Sequence, residues 1–339
     1  MTRREFLFSS VVCGAFGRTA AEEEVSPELR GRGRPLPMVE TAGEEVAPPP
    51  QTGIRIRFLG SGASGWKPEW ATEKPFRRRQ TSALLENRVL IDFTSCSFDR
   101  LPEGCHPEAL FQTHSHGDHY NPSALVKVGV KRLYVHASWV AAARAEVAAA
   151  AEKLGLPAPE VIALEFAKPV VEGDLTITPV PANHSTSRVT DGVLERTCLY
   201  LVEKGPARML YATDTAGVPN DAARMLGIDP IVSDANYPTR FAGNPFVSPP
   251  KALTALVMEA TMGDVADEHV CYEAHSGVPT VARFLATLRK FNRFNPPAGQ
   301  SAYITHLGVR YRNWPSEKID AELPAGIKSA YDGLEIVLG

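Results

Sequence analysis

Residues 111–119 read Phe-Gln-Thr-His-Ser-His-Gly-Asp-His, which is the strongest signal in the sequence. An apolar strand runs into a loop, and a capped helix is predicted to begin directly after it. Two imidazoles two residues apart in an extended segment point the same way, so His114 and His116 can bind one metal ion. Asp118 and His119 lie on the turn into the helix and can reach a second ion beside the first. Nitrogen and carboxylate ligands together suit zinc, with manganese and iron as alternatives.

The composition is that of an ordinary globular protein. Of the 339 residues, 44% are hydrophobic and 22% are charged, which is enough to bury a full core. The net charge is −3, so no bulk electrostatic attraction to nucleic acid or to an acidic membrane is expected. The five cysteines include no Cys-x-x-Cys pair, so neither a zinc ribbon nor a disulfide framework can be read from their spacing.

The first 21 residues have the pattern of a secretory signal. Arg3 and Arg4 precede an apolar run that ends at Phe16, and small residues follow. The run is about a dozen residues long, against roughly 20 needed to span a bilayer, so no stable membrane insertion is expected after signal removal. The adjacent arginines resemble the twin-arginine signal, which predicts export to the periplasm, and a cytoplasmic protein is the alternative. Residues 22–52, rich in Glu, Gly, Arg and Pro, are predicted to be a disordered linker.

The remaining residues, 53–339, are predicted to form one folded domain with two groups of strands. The first group begins with the alternating stretch at residues 54–59, and it includes helices that start at Pro122 and span residues 138–154. The second group repeats this scheme with a helix over residues 280–291. Two sheets between helices fit this order, which is a four-layer α/β sandwich. Further strands are predicted at residues 82–85, 88–92, 109–113, 133–136, 161–164, 175–180, 198–203, 208–212, 231–234, 255–259 and 301–305.

His-x-His-x-Asp-His is the signature of the metallo-β-lactamase superfamily, and the chain resembles this superfamily in its later motifs as well. The resemblance implies that His184 joins the first ion, that Asp214 bridges both ions, and that His306 binds the second. It also implies an αββα sandwich, two divalent metal ions, and attack by a metal-bridging hydroxide. The motifs that carry it are residues 183–185 (Asn-His-Ser), 211–217 (Tyr-Ala-Thr-Asp-Thr-Ala-Gly) and 304–308 (Ile-Thr-His-Leu-Gly).

Within the superfamily, the chain is most similar to PhnP-type cyclic phosphodiesterases and more distantly to tRNase Z. The family's separate structural zinc is not expected here, because residues 66–75 have no cysteine and Val309 stands where a histidine would complete that site. Extra sequence between Asp214 and Glu259 could reshape the pocket beside the metals. The stretches that carry this similarity are residues 76–82, 181–185, 214–219 and 305–336.

Cleavage of a phosphodiester also requires a proton for the leaving alkoxide. The related phosphodiesterases carry a histidine in a context similar to residues 273–277 (Glu-Ala-His-Ser-Gly), so His275 is the expected general acid and His269 is its competitor. Asp118 is assigned to catalysis as well as to metal binding. Asp92 resembles the aspartate that orients metal ligands in this family, and a turn at a strand end is its alternative role.

The other polar residues of interest receive more ordinary interpretations. Arg77, Arg78 and Arg79 either bind a substrate phosphate or form a solvated face, and the solvated face is favoured. His106 and His136 are interpreted as structural.

The sequence therefore predicts an exported dinuclear-metal hydrolase that cleaves a small or cyclic phosphodiester. A lactonase or thioesterase on the same metal site is the alternative, and that chemistry has less need of His275. A nucleic-acid substrate is not expected, because no long basic arm is visible. A non-catalytic metal-binding or scaffolding protein is a further alternative, against which the full set of seven ligands argues. The expected partners are a small phosphate ester and a second copy in a homodimer.

Overall fold

The computed structural model describes residues 52–74, 76–226, 251–264, 274–308 and 310–339. The predicted signal, almost all of the predicted linker, the predicted strand at residues 231–234 and the candidate acid His269 lie outside the described residues, so these predictions stay predictions. Within the described residues, no helix has the length and apolar character of a membrane-spanning segment.

The strands of the described residues form two seven-stranded sheets and one short hairpin. In chain order they are β1 (Ile54–Gly60), β2 (Ser82–Leu85), β3 (Val89–Ile91), β4 (Ala109–Phe111), β5 (Arg132–His136), β6 (Glu160–Leu164), β7 (Val170–Glu172), β8 (Leu175–Pro181), β9 (Val189–Thr190), β10 (Val193–Leu194), β11 (Cys198–Lys204), β12 (Ala207–Ala212), β13 (Ala255–Glu259), β14 (Ala302–Thr305), β15 (Ile327–Ser329) and β16 (Glu335–Leu338). The helices are α1 (Trp70–Glu73), α2 (Pro122–Val128), α3 (Val140–Leu154), α4 (Asn220–Met225), α5 (Val278–Lys290) and α6 (Ser316–Asp320).

Both sheets are mixed. The first has the spatial order β16-β1-β2-β3-β4-β5-β6, with β3 to β6 parallel and the strands before them antiparallel. The second has the order β15-β14-β13-β12-β11-β8-β7, with β12 to β15 parallel. Parallel neighbours end at the same edge of a sheet, so the loops after these strands are brought together at one edge of each sheet.

An apolar core lies between the two sheets. Phe58 and Leu85 of the first sheet belong to the same buried cluster as Tyr200 and Met209 of the second. Strands with alternating burial, such as β1, place every second side chain in this core. Burial of one such side chain stabilises the fold by about 1.5–3 kcal/mol.

Helices cover the outer face of each sheet. Leu125 of α2 and Val147 of α3 pack in a buried cluster with Leu110 of the first sheet. Leu288 of α5 packs in another cluster with Ile304 of the second sheet. The order of layers is therefore helix, sheet, sheet, helix, which confirms the predicted αββα sandwich.

The helix that follows the histidine-rich loop begins as predicted. The Asn121 side chain accepts a hydrogen bond from the main-chain N–H of Ala124 at 2.9 Å, and Pro122 is the first helical residue. The predicted helix over residues 138–154 is α3 preceded by a 3₁₀ turn at Ala137–Trp139, and it ends at Gly155 in the left-handed conformation. A rigid helix thus begins three residues after the last histidine of the loop.

Candidate metal centre

Four strand ends carry the seven predicted metal ligands. The loop after β4 holds His114, His116, Asp118 and His119, and the loops after β8, β12 and β14 hold the others. Among the described residues, the seven fall into two of three clusters of possible ligand atoms, and the third cluster joins Asp214 and His306 to Glu259 and His275. The predicted ligands therefore meet in space although nearly two hundred residues separate the first from the last. The remaining three ligands are His184, Asp214 and His306.

The first group consists of His114, His116, His184 and Asp214. Their ligand atoms all lie within 4.8 Å of one another. Nε2 of His184 is 3.2 Å from Nδ1 of His116, and Nε2 of His114 is 3.2 Å from Oδ2 of Asp214. Three imidazoles and one carboxylate at these distances match the ligand set of a four-coordinate zinc ion.

The second group consists of Asp118, His119 and His306, whose ligand atoms also lie within 4.8 Å of one another. Nε2 of His119 is 3.1 Å from Nε2 of His306 and 2.6 Å from Oδ2 of Asp214. The same carboxylate oxygen lies 3.2 Å from Nε2 of His114 in the first group. Asp214 is therefore in contact with both groups, as expected of a residue that bridges two ions.

The imidazoles are oriented in the way that metal binding requires. In four of them Nδ1 contacts a protein oxygen, which leaves Nε2 directed at the other donors. Nε2 of His114 is buried and faces Asp214 Oδ2 at 3.2 Å without making a hydrogen bond among the described residues, which is costly unless a cation lies between such donors. The Nδ1 contacts are Thr113 Oγ1 at 2.9 Å for His114, Asp92 Oδ2 at 2.7 Å for His119, the Ala274 carbonyl at 2.9 Å for His184 and Thr261 Oγ1 at 2.6 Å for His306.

Burial keeps the first group in the protonation state that binds cations. Burial, reinforced by the neighbouring imidazole of His184, lowers the pKa of His116 to about 4. Burial likewise lowers the pKa of His114 well below its usual value. Burial alone would raise the pKa of Asp214, but the imidazoles of His306 and His119 outweigh it and hold that pKa well below its usual value. Neutral imidazoles and an ionised carboxylate are the forms that coordinate metal.

Asp92 occupies the position that the sequence indicated, beneath the metal loop. Its carboxylate is fully buried and accepts hydrogen bonds from the Gln112 side chain at 2.7 Å and from the Thr113 main-chain N–H at 2.8 Å. The Thr113 hydroxyl donates a further bond at 2.8 Å. The other contact of this carboxylate is His119 Nδ1, so Asp92 fixes both the loop and one imidazole.

Three residues of the site have an unusual backbone conformation. Asp92, Asp214 and His306 have φ angles of 53°, 46° and 51°. This left-handed region is uncommon for residues other than glycine and costs free energy. Each residue comes directly after a strand or one loop residue later, where the conformation turns its side chain towards the centre.

His275 lies at the rim of the centre. Its Nδ1 is 3.2 Å from Asp214 Oδ1, and its ring centroid is 5.1 Å from that of His184. The side chain is 24% exposed, so one edge of the imidazole is open to solvent. Burial would lower the pKa of His275, but the carboxylates of Glu259 and Asp214 outweigh it and raise that pKa to about 11.

Glu259 is a site residue that the sequence interpretation missed. It ends β13, is fully buried, and its two carboxylate oxygens lie 3.3 Å and 3.2 Å from Nδ1 of His275. It also accepts hydrogen bonds from the Thr215 main-chain N–H and the Thr261 hydroxyl. The signal in the sequence was an acid that ends the apolar run Ala-Leu-Val-Met, beside two strands that carry ligands.

Glu195 is a second missed residue. Its buried carboxylate accepts hydrogen bonds from the main-chain N–H of Ser115 at 2.7 Å and from the Ser115 hydroxyl at 2.5 Å. The Thr186 hydroxyl donates to it at 3.0 Å. Glu195 therefore links the loop between His114 and His116 to the segment that follows His184.

The arginine run departs from its favoured interpretation. Arg78 and Arg79 are each only 5% exposed, so residues 77–79 do not form a solvated face. His136, by contrast, accepts a hydrogen bond from the main-chain N–H of Ser138 at 3.1 Å and has the structural role expected of it. His106 is exposed and lies outside the centre.

Comparison with known proteins agrees with this geometry. The sequence profile of the beta-lactamase superfamily domain matches residues 88–263, just over half of the chain. No curated protein sequence gives a significant match. Among solved structures, a diphosphatase of the PhnP family has 19% identity and a TM-score of 0.53, over 84% of this chain and 96% of that one. Zinc-bound PqqB from Methylobacterium extorquens has 17% identity and a TM-score of 0.53, over 83% and 99%. The short form of human tRNase Z has 14% identity and a TM-score of 0.51, over 84% and 99%.

The chain belongs to the beta-lactamase superfamily, as the His-x-His-x-Asp-His motif predicted. It is a metal-dependent hydrolase, and the fold implies divalent metal ions for which the two donor groups are candidate ligands. At 14–19% identity, the likeness to the three solved structures is one of fold.

Proposed function

We propose that this protein is a dinuclear-metal phosphodiesterase that acts on a small or cyclic phosphate ester. In this proposal His114, His116 and His184 would hold one ion, the second group would hold the other, and Asp214 would contribute to both. Two bound divalent ions, most simply zinc, would activate water and neutralise charge on the phosphoryl oxygens. The second group is Asp118, His119 and His306.

The position of His275 is the observation that carries the choice of a phosphodiester. A phosphodiester with an alkoxide leaving group needs a proton, and an imidazolium can supply it. His275 directs Nδ1 at Glu259 and Asp214, so the proton available to a substrate is the one on Nε2. The carboxylates of Asp214 and Glu259 beside the ring favour the charged form of His275. Within the described residues, the contact with His275 Nδ1 is the closest ionic contact of Glu259. Asp118 is proposed to orient the attacking water from the second group.

A panel of three substrates tests the proposal. Metal-reconstituted protein is assayed with bis(p-nitrophenyl) phosphate, a 2′,3′-cyclic nucleotide and a simple lactone. We expect turnover of both phosphodiesters and little opening of the lactone. Efficient lactone opening with inert phosphodiesters would overturn the proposal in favour of a lactonase or thioesterase, in which the proton donor is less needed.

The variant His275→Ala tests the role of the imidazole. Alkoxide leaving groups need the proton and p-nitrophenolate largely does not, so turnover of the cyclic nucleotide should fall about 10²–10⁴-fold and that of bis(p-nitrophenyl) phosphate far less. Metal content should be unchanged. His106→Ala, which removes an exposed imidazole outside the centre, is the matched control and should leave both rates intact. An equal loss on both diesters would contradict a proton-donor role.

We also propose export through the twin-arginine route, on the pattern of the first 21 residues alone. Replacing Arg3 and Arg4 with lysine should retain the protein in the cytoplasm, because that route requires the arginine pair. Cell fractionation with an antibody against the folded domain measures the outcome. Cytoplasmic retention of the unaltered protein would support the cytoplasmic alternative instead.

A further inference from the structure

A cavity separate from the metal centre lies beside the arginine run, and none of the predicted metal ligands lines it. Its volume is about 240 Å³, which suits a small ligand. It takes four arginines from two separate segments, and it has exposed aromatic rings at Phe76 and Tyr331. The acidic residues of its lining are Glu317 and Asp332. The four arginines are Arg77, Arg78, Arg79 and Arg100.

The positive charge of this cavity is only partly compensated. Arg79 is paired with Asp99 and lies 3.5 Å from Asp332. Arg78 directs its guanidinium at neutral oxygens, including the Ser61 hydroxyl at 2.9 Å. Among the described residues, no carboxylate oxygen lies within 4.0 Å of the guanidinium nitrogens of Arg77, Arg78 or Arg100. Burial lowers the pKa of Arg78, and the more distant carboxylates of Asp332, Asp320 and Glu317 offset only part of that effect.

Arg77 and Arg100 are the least satisfied members. The Nη atoms of Arg77 donate to the Gly65 carbonyl and, at 3.4 Å, to Asn313 Oδ1, both neutral. Nε of Arg100 is buried without a hydrogen-bond partner among the described residues. Burial lowers the pKa of Arg77 to about 10, and the neighbouring guanidinium of Arg312 adds to this effect. Both side chains are partly exposed, so each is only partly desolvated without a counter-ion, and a bound anion would offset that cost.

We propose that this cavity is an anion site for a phosphoryl group, carried by inorganic phosphate or by a small phosphate ester. Guanidinium groups bind tetrahedral phosphoryl oxygens through pairs of charge-assisted hydrogen bonds, and several arginines favour a doubly charged group over a single carboxylate. An ester would place its organic part against the rings of Phe76 and Tyr331. The proposal does not depend on what the metal centre hydrolyses.

The cavity and the metal centre share one loop. The main-chain N–H of Leu307 donates to the Ser61 carbonyl at 2.8 Å, and Leu307 follows the predicted ligand His306. Arg78 binds the hydroxyl of the same Ser61. Inorganic phosphate can also bind a dinuclear metal centre, so the test must separate the two sites.

Calorimetric titration of the metal-loaded protein with inorganic phosphate and with phenylphosphonate separates them. Arg77→Met and Arg100→Met should each weaken one phosphate-binding component about tenfold or more, because each removes charge-assisted hydrogen bonds. Phosphate bound at the metal centre should persist in both variants. Arg144→Met removes an arginine of α3 that does not line the cavity, and it should bind like the unaltered protein. Thermal unfolding in phosphate-free buffer checks that all variants fold.

Phenylphosphonate distinguishes the two sources of the phosphoryl group. Tighter binding than inorganic phosphate, weakened by Phe76→Ala, identifies an ester as the ligand, whereas equal binding identifies free phosphate. Turnover of bis(p-nitrophenyl) phosphate in phosphate-free buffer should be the same in both arginine variants as in the unaltered protein. Identical titrations for the unaltered protein, Arg77→Met and Arg100→Met would overturn the proposal, whatever the metal centre is found to hydrolyse.

Discussion

Asp92 illustrates how much of the site depends on residues that donate nothing to a metal. Its carboxylate accepts three hydrogen bonds from Gln112 and Thr113 and contacts Nδ1 of His119, all without exposure to solvent. These contacts fix the tautomer and the direction of the imidazole. A buried carboxylate in this position also makes that imidazole a stronger ligand.

Asp92→Asn should therefore weaken metal binding. The amide cannot accept all of these hydrogen bonds, and we expect metal affinity to fall about 10–100-fold. Competition with a chromogenic chelator measures this affinity. Asp99→Asn, which alters an exposed acid outside the centre, should bind metal normally. Unchanged affinity in Asp92→Asn would assign this residue to a strand-end turn alone.

The histidine-rich motif could be predicted because its ligands are close together in the sequence. Glu259 and Glu195 could not, since each is a single carboxylate whose partner lies far along the chain. Glu195 is 80 residues from Ser115, and an isolated acid near a hairpin usually indicates solvent exposure. Burial of Arg78 and Arg79 was missed for the same reason, because their acceptors come from distant segments.

At the scale of elements, the β9–β10 hairpin segment supports the metal loop through Glu195. The carboxylate ties Ser115, between two predicted ligands, to Thr186 just after the third histidine. Arg188 approaches the same carboxylate at 3.7 Å. Two ligand-bearing loops are thus held by one side chain.

Glu195→Ala should loosen both loops. The two hydrogen bonds from Ser115 to the carboxylate would be lost. We expect metal affinity to fall about tenfold and the free energy of unfolding to fall by about 1–3 kcal/mol. Chelator competition and urea unfolding measure the two effects. Glu152→Ala, at an exposed position of α3, provides the matched control. A loss of stability with unchanged metal affinity would restrict Glu195 to a packing role.

Elements with a clear apolar run were predictable, including the short strands β2, β3 and β4, whereas β7, β15 and β16 were not. Strands such as β1 and β13 and the helix α3 follow clear patterns of apolar residues and have clear ends. β7, β15 and β16 are equally short but mix exposed or partly exposed residues with buried ones, so no apolar run or periodicity marks them. Their places are set by pairing, as when β16 returns to β1 from the far end of the chain.

At the scale of the molecule, a buried acid joins the two sheets. Glu172 of β7, in the second sheet, accepts two hydrogen bonds from Arg132 of β5, in the first, each at 2.8 Å. The Tyr134 hydroxyl donates a third at 2.6 Å. Burial would raise the pKa of Glu172, but these hydrogen bonds outweigh it and lower the pKa below its usual 4.5.

The contribution of Glu172 to stability should depend on pH. A lowered pKa in the folded state means that the contribution is fully present above pH 4.5 and is lost as the pH falls through the folded value. Glu172→Gln should reduce the free energy of unfolding by about 1–2 kcal/mol at pH 7 and by less at acidic pH. The expected loss is modest because Arg132 is partly exposed, so solvent screens its interaction with the carboxylate. Urea unfolding at several pH values measures the difference. A pH-independent difference, or the same difference in the exposed control Glu160→Gln, would contradict this account.

The four-layer arrangement brings ligands from four loops to one place, so the decisive measurement is the metal content of the purified protein. Elemental analysis of protein reconstituted with zinc and freed of excess metal should give two ions per chain. Asp214→Ala, which removes the carboxylate between the two groups, should lower that number while the protein remains folded by circular dichroism. Absence of stoichiometric metal from the folded, reconstituted protein, or two ions retained in Asp214→Ala, would contradict a dinuclear centre bridged by this residue.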